Sequence, residues 1–173
     1  MLERVTAIEY VEPVGTGRTQ PVHLVCEKSD GSTVEVIAKF SAYCDEGVVN
    51  LAREVIAACL AADLGLPIPV PYLVEIPPEF AEIIPEPALR AKIKASAPIA
   101  FGSTFVTGQY AKWFPGTAIS GALLPVATAI FSFDAIIQNP DRPMPCCASR
   151  HGTRSAVSRM CFRTSTGTLS CLR

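Results

Sequence analysis

Residues 33–54 read TVEVIAKFSAYCDEGVVNLARE, in which a β-strand pattern runs into a helix pattern. Apolar and polar side chains alternate up to Lys39, which predicts a strand with Lys39 on the face opposite Phe40. From about residue 47 to residue 64, apolar residues recur at helical spacing, and Gly65 follows as a helix-ending residue. The sequence therefore predicts a strand that ends near a lysine and is followed by one amphipathic helix.

Upstream of this stretch the pattern predicts two further strands, at 4–11 and 21–27. A loop rich in Gly, Pro and Thr separates them at 12–20. The tetrapeptide SDGS at 29–32 is a turn sequence between two β-branched runs, so we expect a hairpin that joins 21–27 to 33–40.

Downstream, the sequence predicts a strand at 72–76, a helical insertion at 78–96, a strand at 99–107 and an apolar helix at about 120–138. Three alternating prolines precede the first of these strands, so we expect it near a sheet edge. The apolar helix approaches the length of a membrane span, but its interior Ser, Gly, Pro and Asp residues favour a buried helix of a soluble core. The predicted fold class is α+β.

Composition excludes several classes of protein. Apolar residues make up 49% and charged residues 18% of the chain, which argues against disorder, and a net charge of −1 gives no basic stripe for nucleic acid. The seven cysteines form no CxxC pair, and no signal peptide opens the chain, so a disulfide framework is not expected. We therefore expect a cytoplasmic protein without a metal site built from Cys and His, bound neither to nucleic acid nor to membrane.

The composition changes after Arg142. Residues 143–173 contain no Asp, Glu or Lys but five Arg, so all 16 acidic residues of the chain lie in 1–142. The tail shows no apolar periodicity and no strand-length apolar run. A segment of this kind cannot bury enough surface to order itself. We therefore divide the chain into a domain at 1–142 and a tail at 143–173 that we expect to lack regular packing.

Gly15, Thr16 and Gly17 form a short glycine loop between two predicted strands. Glycines allow the backbone to approach a phosphate, and consecutive amide N–H groups can bind an anion. A tight turn without any ligand explains the same pattern. The loop is not a Walker loop, because no Gly-Lys-Ser/Thr follows it.

Lys39 and Glu54 are the next candidates. Taken alone, a lysine on an apolar strand is commonly an edge residue that extends its ammonium to water, and a helix glutamate is commonly solvated. However, a glycine loop, a strand lysine and a helix glutamate occur here in the order in which protein kinases place a phosphate-binding lysine and its carboxylate partner. This order predicts an ion pair, with the two charged groups within hydrogen-bond distance.

Asp141 follows the apolar helix in the segment FDAIIQNPDR at 133–142. Asn139-Pro140 explains why the helix stops there. A plain helix-ending turn does not explain the whole segment at 133–142, in which an aspartate follows directly after an apolar helix that we expect to be buried. Asp141 is therefore a candidate catalytic base.

Together these segments resemble the HipA-like kinase domains of bacteria over residues 1–142. The resemblance rests on GRTQP at 17–21, EVIAK at 35–39, NLARE at 50–54, GLPIP at 65–69, FGS at 101–103 and the segment at 133–142. It implies an atypical Ser/Thr kinase fold, with an N-lobe sheet, one main helix and an incomplete helical C-lobe, that uses ATP and Mg²⁺. It also implies that Lys39 binds nucleotide phosphates, that the loop containing Gly15, Thr16 and Gly17 covers them, and that Asp141 is the catalytic aspartate.

The sequence departs from the family pattern after Asp141. The family places a metal-binding asparagine five residues later, where this chain has Cys146. The resemblance implies a kinase domain that transfers phosphate from ATP to a protein hydroxyl. Because a thiol is a poor ligand for Mg²⁺, we expect this chain to be inactive in that reaction. A non-catalytic module that binds nucleotide or a partner protein, and a small-molecule phosphotransferase, remain alternatives. Out-of-frame translation after Arg142 explains the tail, and a genuine Arg/Ser/Cys-rich tail is the alternative.

Overall fold

The computed structural model of the chain describes residues 2–14, 19–107, 110–112, 119, 121–139, 160–163 and 169–172. The chain divides into two compact units. The first unit comprises Met1–Cys59 and Pro69–Phe105, and the second comprises Leu60–Ile68 and Val106–Arg173. Strands and helices both occur, so the predicted α+β fold class is confirmed.

The first unit contains a closed five-stranded barrel. Its strands are β1 (Glu3–Pro13), β2 (Val22–Glu27), β3 (Thr33–Lys39), β4 (Pro71–Glu75) and β5 (Ile99–Thr104). Their order around the barrel is β1-β2-β3-β5-β4, and β4 closes it by pairing parallel to β1, whereas the other pairs are antiparallel. The first unit also contains short 3-10 turns at Ser41–Tyr43 and Pro78–Ile83, the helix α2 (Pro87–Lys94) and most of the helix α1 (Val48–Asp63), whose last residues belong to the second unit.

Barrel closure corrects one sequence prediction. The strand predicted near a sheet edge is β4, and it pairs on both sides, with β1 and with β5. The prolines do not prevent this, because Pro71 occupies the first position of the strand, where a missing N–H costs little. The residue just before β4 extends the pairing with β5, since the Thr104 N–H donates to the Val70 carbonyl at 2.9 Å.

β2 and β3 form the predicted hairpin, in which Cys26 lies opposite Val34. The turn is closed by Asp30, whose Oδ1 accepts hydrogen bonds from the Ser32 N–H at 2.9 Å and the Ser32 hydroxyl at 2.6 Å. Gly31 has a φ of +80°, a conformation that glycine adopts without a steric penalty. The turn chemistry expected from the sequence is therefore confirmed.

The core of the first unit lies inside the barrel. Alternate residues of its strands point inward and are almost fully buried, among them Leu24, Val36 and Val74. At Gly102 on β5 the strands pack so closely that an added Cβ would lie 2.5 Å from Cγ2 of Val74. A side chain at this position would therefore collide with the core.

The helix α1 ends as its sequence predicts. Gly65 has a φ of +68°, the Gly65 N–H donates to the Ala62 carbonyl, and the Leu66 N–H donates to the Ala61 carbonyl, each at 2.9 Å. This pair of bonds is a Schellman motif, which satisfies carbonyls that the helix end leaves without intrahelical partners.

The second unit contains α3 (Leu124–Ile136), which confirms the predicted apolar helix with a later start. Ile130 and Phe133 of α3 are buried in a small core with Ala61. In the part of the chain that the structure describes, no helix is both long enough and apolar enough to cross a membrane.

The second unit also contains strands where the sequence predicted none. These strands are β6 (Tyr110–Lys112), β7 (Met160–Arg163) and β8 (Leu169–Leu172), in the order β6-β8-β7. The expectation that the tail at 143–173 lacks regular packing concerns side chains, and those of 160–163 and 169–172 lie outside the description, so it stays a prediction. Strand pairing joins backbone groups, so it does not require apolar alternation of the side chains.

Candidate functional site

Lys39 and Glu54 form an ion pair. Lys39 is the last residue of β3 and Glu54 lies in the second turn of α1, and Lys39 Nζ donates to Glu54 Oε1 at 2.6 Å. Their side chains are only 10% and 12% exposed. The ion pair expected from the sequence is therefore present, and it is largely shielded from water.

The strand pattern explains how the pair forms. Ala38 points into the barrel core, so its neighbour Lys39 points outward, as the alternation along the strand predicts. In α1, Leu51 is buried, and Glu54 lies three residues further on, on the same side of the helix. The 3-10 turn at Ser41–Tyr43 links the two elements and allows the helix to bring its carboxylate to the end of the strand.

Register shows which side chains share the outward face with Lys39. Lys39 lies opposite Phe101 on β5, and Ile37 lies between Ser103 on β5 and His23 on β2. Side chains at paired positions lie on the same side of a sheet, and so do those two residues apart along one strand. The Lys39 ammonium therefore projects from a face whose nearest neighbours are mostly apolar or aromatic.

This pair differs from the ion pairs at the surface of the first unit. Lys94 Nζ also lies 2.6 Å from Glu82 Oε1, but these two side chains are 48% and 60% exposed. A shielded pair loses much of the hydration of both charges, so its net contribution to stability is small or negative. Stability alone therefore does not explain why a lysine and a glutamate occupy these positions.

Cys44 lies close to this pair. Its thiol donates to the Phe40 carbonyl, with a Sγ–O distance of 3.5 Å. Burial raises the pKa of the Cys44 thiol, whereas Lys39 acts to lower it and Glu54 acts to raise it further. Cys44 is therefore a neutral thiol beside the pair, and sequence reasoning did not single it out.

His23 was also missed by the sequence analysis. It is buried, its Nε2 lies 2.8 Å from Oε2 of Glu35, and its ring packs against Phe105 with centroids 4.1 Å apart. The Phe105 N–H in turn donates to the Glu35 carbonyl at 2.8 Å. These contacts hold the chain that leaves β5 against the outward face of β2 and β3. The hairpin register could have indicated that His23 lies near Glu35, but the covering by Phe105 depends on a distant strand.

The other predicted site residues are not tested. Gly15, Thr16, Gly17 and Asp141 lie outside the described residues, as does Cys146. Within the described part of the chain, no group of three or more His, Cys, Asp or Glu side chains could hold a metal ion. Of the predicted site, the structure therefore brings together Lys39 and Glu54.

Comparison with known proteins gives a family match. A family model for HipA-like kinases matches residues 7–151, a range that continues past Arg142, where the sequence analysis placed a boundary. No curated protein and no solved structure matches the chain. Because the matched range covers well over half of the sequence, the chain belongs to the HipA-like kinase family.

Proposed function

We propose that this chain is a nucleotide-binding kinase-family domain in which Lys39 binds the phosphates of ATP. The observation that carries the proposal is the shielded 2.6 Å contact between Lys39 and Glu54. An ammonium carries three N–H donors, so a carboxylate that accepts from one of them fixes the direction of the group. Hydrogen bonds between an ammonium and phosphate oxygens are of the strong, charge-assisted kind.

The glycine loop and the aspartate take the roles that the family resemblance implies. The loop containing Gly15, Thr16 and Gly17 would cover the phosphates with its backbone N–H groups. Asp141 would accept the proton of the attacking hydroxyl, which the family resemblance places on a protein. When bound together with ATP, Mg²⁺ would supply positive charge that offsets the negative charge of the phosphates.

We also propose that this polypeptide binds nucleotide without transferring phosphate. Phosphoryl transfer depends almost entirely on positioning and charge stabilisation, to which the metal contributes a large share. The residue five positions after Asp141 is Cys146, where the family pattern has an asparagine that binds the metal. Mg²⁺ prefers oxygen ligands, so a thiol at this position does not replace the amide.

Nucleotide binding is tested by calorimetric titration of the full chain with MgATP. We expect Lys39→Met to weaken binding by about 10-fold or more, because a hydrogen bond to a charged group contributes about 1.5–3 kcal/mol. Glu54→Gln should weaken binding less, since it removes the charge that orients Lys39 but keeps a hydrogen-bond acceptor.

The matched controls are Lys94→Met and Glu82→Gln, because this pair has the same Nζ–Oε1 distance of 2.6 Å but lies at the surface. Both controls should bind MgATP like the unaltered chain. Equal affinity in the chain and in Lys39→Met, with both proteins folded, would refute the proposed site.

Phosphate transfer is tested separately, by incorporation of labelled phosphate with Mg²⁺ and then with Mn²⁺. We expect no incorporation above that of the Asp141→Ala variant. A clear signal that disappears in Asp141→Ala would show that the chain is an active kinase and that Cys146 does not prevent catalysis.

A further inference from the structure

Asp134 is a buried carboxylate on α3, a helix composed almost entirely of apolar and small residues. Asp134 is only 3% exposed. Transfer of a carboxylate from water to a protein interior is costly unless hydrogen bonds compensate for the lost hydration. The contacts of Asp134 therefore indicate why an acidic residue occupies this place.

Asn139 supplies two of these contacts. Its side-chain Nδ2 donates to Asp134 Oδ1 at 2.9 Å, and its backbone N–H donates to the Asp134 carbonyl at 2.8 Å. Asn139 is itself 9% exposed, so the side-chain bond is shielded from water. A hydrogen bond to a charged acceptor is worth more than a neutral one, and more again where water is excluded.

The backbone between the two residues makes the helix-ending turn rigid. The Gln138 N–H donates to the Ala135 carbonyl at 3.3 Å, which together with the Asn139 bond completes a Schellman motif. Gln138 has a φ of +54°, a left-handed conformation that is unfavourable for a residue other than glycine. Such a conformation persists where surrounding contacts determine the geometry, which is common at functional sites.

The next residues are Pro140 and Asp141. A proline restricts the backbone of the residue before it, so Pro140 limits the conformations that are open to Asn139. We propose that Asp134 is a positioning residue, which acts through Asn139 to fix the start of the segment that carries Asp141. The inference rests on the proposed function, because it matters only if Asp141 has the role that the family resemblance implies.

A purely structural role is the competing explanation, since a bonded helix end also contributes to stability. The two explanations differ in what happens to Asp141. A stabilising contact changes the melting temperature alone, whereas a positioning contact also changes the environment of the Asp141 carboxylate.

The experiment is carboxyl-carbon NMR of the full chain labelled with ¹³C-aspartate. The chain has only five aspartates, at positions 30, 45, 63, 134 and 141. The Asp141 resonance is assigned by its loss in Asp141→Asn. Asn139→Ala is the perturbing variant, because it removes the donor to Asp134 without adding a charge near Asp141.

Asp134→Ala is the second variant, since it removes the acceptor of the same hydrogen bond. We expect the Asp141 resonance and its titration midpoint to shift in Asn139→Ala and also in Asp134→Ala. An unchanged Asp141 resonance in Asn139→Ala, with a lowered melting temperature, would overturn the proposal. So would a resonance that shifts in Asn139→Ala but not in Asp134→Ala.

If either variant does not fold, Asn139→Ser or Asp134→Ser takes its place and must show the same shift of the Asp141 resonance. Titration with MgATP of the same samples separates this inference from the proposed function. If MgATP binds the unaltered chain and Lys39→Met equally well, the proposed nucleotide site is refuted whatever the NMR result. If the Asp141 resonance is unchanged in the Asn139 variant, the positioning role is refuted even where Lys39 still binds nucleotide.

Discussion

Gly102→Ala tests the closest packing in the barrel. A Cβ at this position would lie 2.5 Å from Cγ2 of Val74 and 3.7 Å from Cβ and Cγ2 of Val36. Carbon atoms attract each other best at about 3.5–4.0 Å, so the contact with Val36 is acceptable and the contact with Val74 is about 1 Å too short. The strain therefore falls on Val74.

Val74 cannot easily relieve this strain. It is fully buried, and a β-branched side chain has few alternative rotamers. Insertion of one methyl group into a packed core typically costs about 1–3 kcal/mol. Replacing glycine by alanine within a strand restores about 0.5–1 kcal/mol of backbone entropy. We therefore expect a net destabilisation of about 0.5–2 kcal/mol, the difference between these two contributions.

The assay is urea unfolding followed by far-ultraviolet circular dichroism. Val74→Ala alone should cost about 2 kcal/mol, because it removes two methyl groups and leaves a cavity. The double variant G102A/V74A should cost at least about 1 kcal/mol less than the sum of the two, since the collision no longer exists. Additive effects, or a Gly102→Ala variant as stable as the parent, would refute the geometric reasoning. Gly121→Ala is the control, because a Cβ there meets no atom within 4 Å.

Two further predictions concern ionisable groups. Burial raises the pKa of the Cys26 thiol to about 12, so the thiolate that iodoacetamide attacks is scarce at pH 8 in the folded chain. Peptide mapping after iodoacetamide treatment at pH 8 should therefore find Cys26 alkylated in urea but not in the folded chain. Equal alkylation in both states would contradict this prediction. Burial, with a smaller contribution from Glu86, raises the pKa of Tyr10 from 10.0 to about 12. The unfolded state therefore loses the Tyr10 proton at a lower pH than the folded state. As a result, the free energy of unfolding should fall as the pH rises from 10.0 towards 12. Tyr10→Phe should remove the last component of the tyrosinate titration at 295 nm. Loss of an earlier component instead would show that Tyr10 ionises with the other tyrosines.

The elements that the sequence predicts best are those that depend on neighbours along the chain. The hairpin turn at 29–32 contains both the aspartate and the glycine that its geometry requires, and Gly65 stands where a left-handed residue ends α1. Alternation along β3 placed Lys39 on the face opposite the core. In each case a local interaction decides the structure, so a short window of sequence is sufficient.

Pairing between distant strands is what the sequence did not predict. Closure of the barrel depends on the parallel pairing of β1 with β4, two strands that are separated in sequence by residues 14–70. Nothing in residues 71–75 reveals this pairing, and the nearby prolines suggested an edge. The covering of His23 by Phe105 has the same origin, because the two residues are brought together by β5. Local propensity cannot report contacts of this kind.

The short strands at 160–163 and 169–172 show a different limit. A tail without acidic residues or apolar periodicity gave no reason to expect a sheet, yet two strands of four residues pair there. Four residues are too few for an alternating pattern to be distinguished from chance, and backbone hydrogen bonds form whatever the side chains. An absence of pattern therefore excludes a long amphipathic element but not a short hairpin.

We expect this chain to bind nucleotide without transferring phosphate, rather than to lack both activities. Replacement of a shielded ion pair by apolar residues commonly leaves stability unchanged or improved, so stability alone does not explain Lys39 and Glu54. Their 2.6 Å contact is the geometry that an oriented ammonium requires. The departure from the family pattern lies elsewhere, at Cys146, and concerns metal-assisted catalysis rather than recognition of phosphate. Because a lysine attracts phosphates through its own charge, recognition can survive a change that removes a metal ligand. Nucleotide affinity that depends on Lys39, in the absence of transfer, is therefore the outcome that this arrangement of residues predicts.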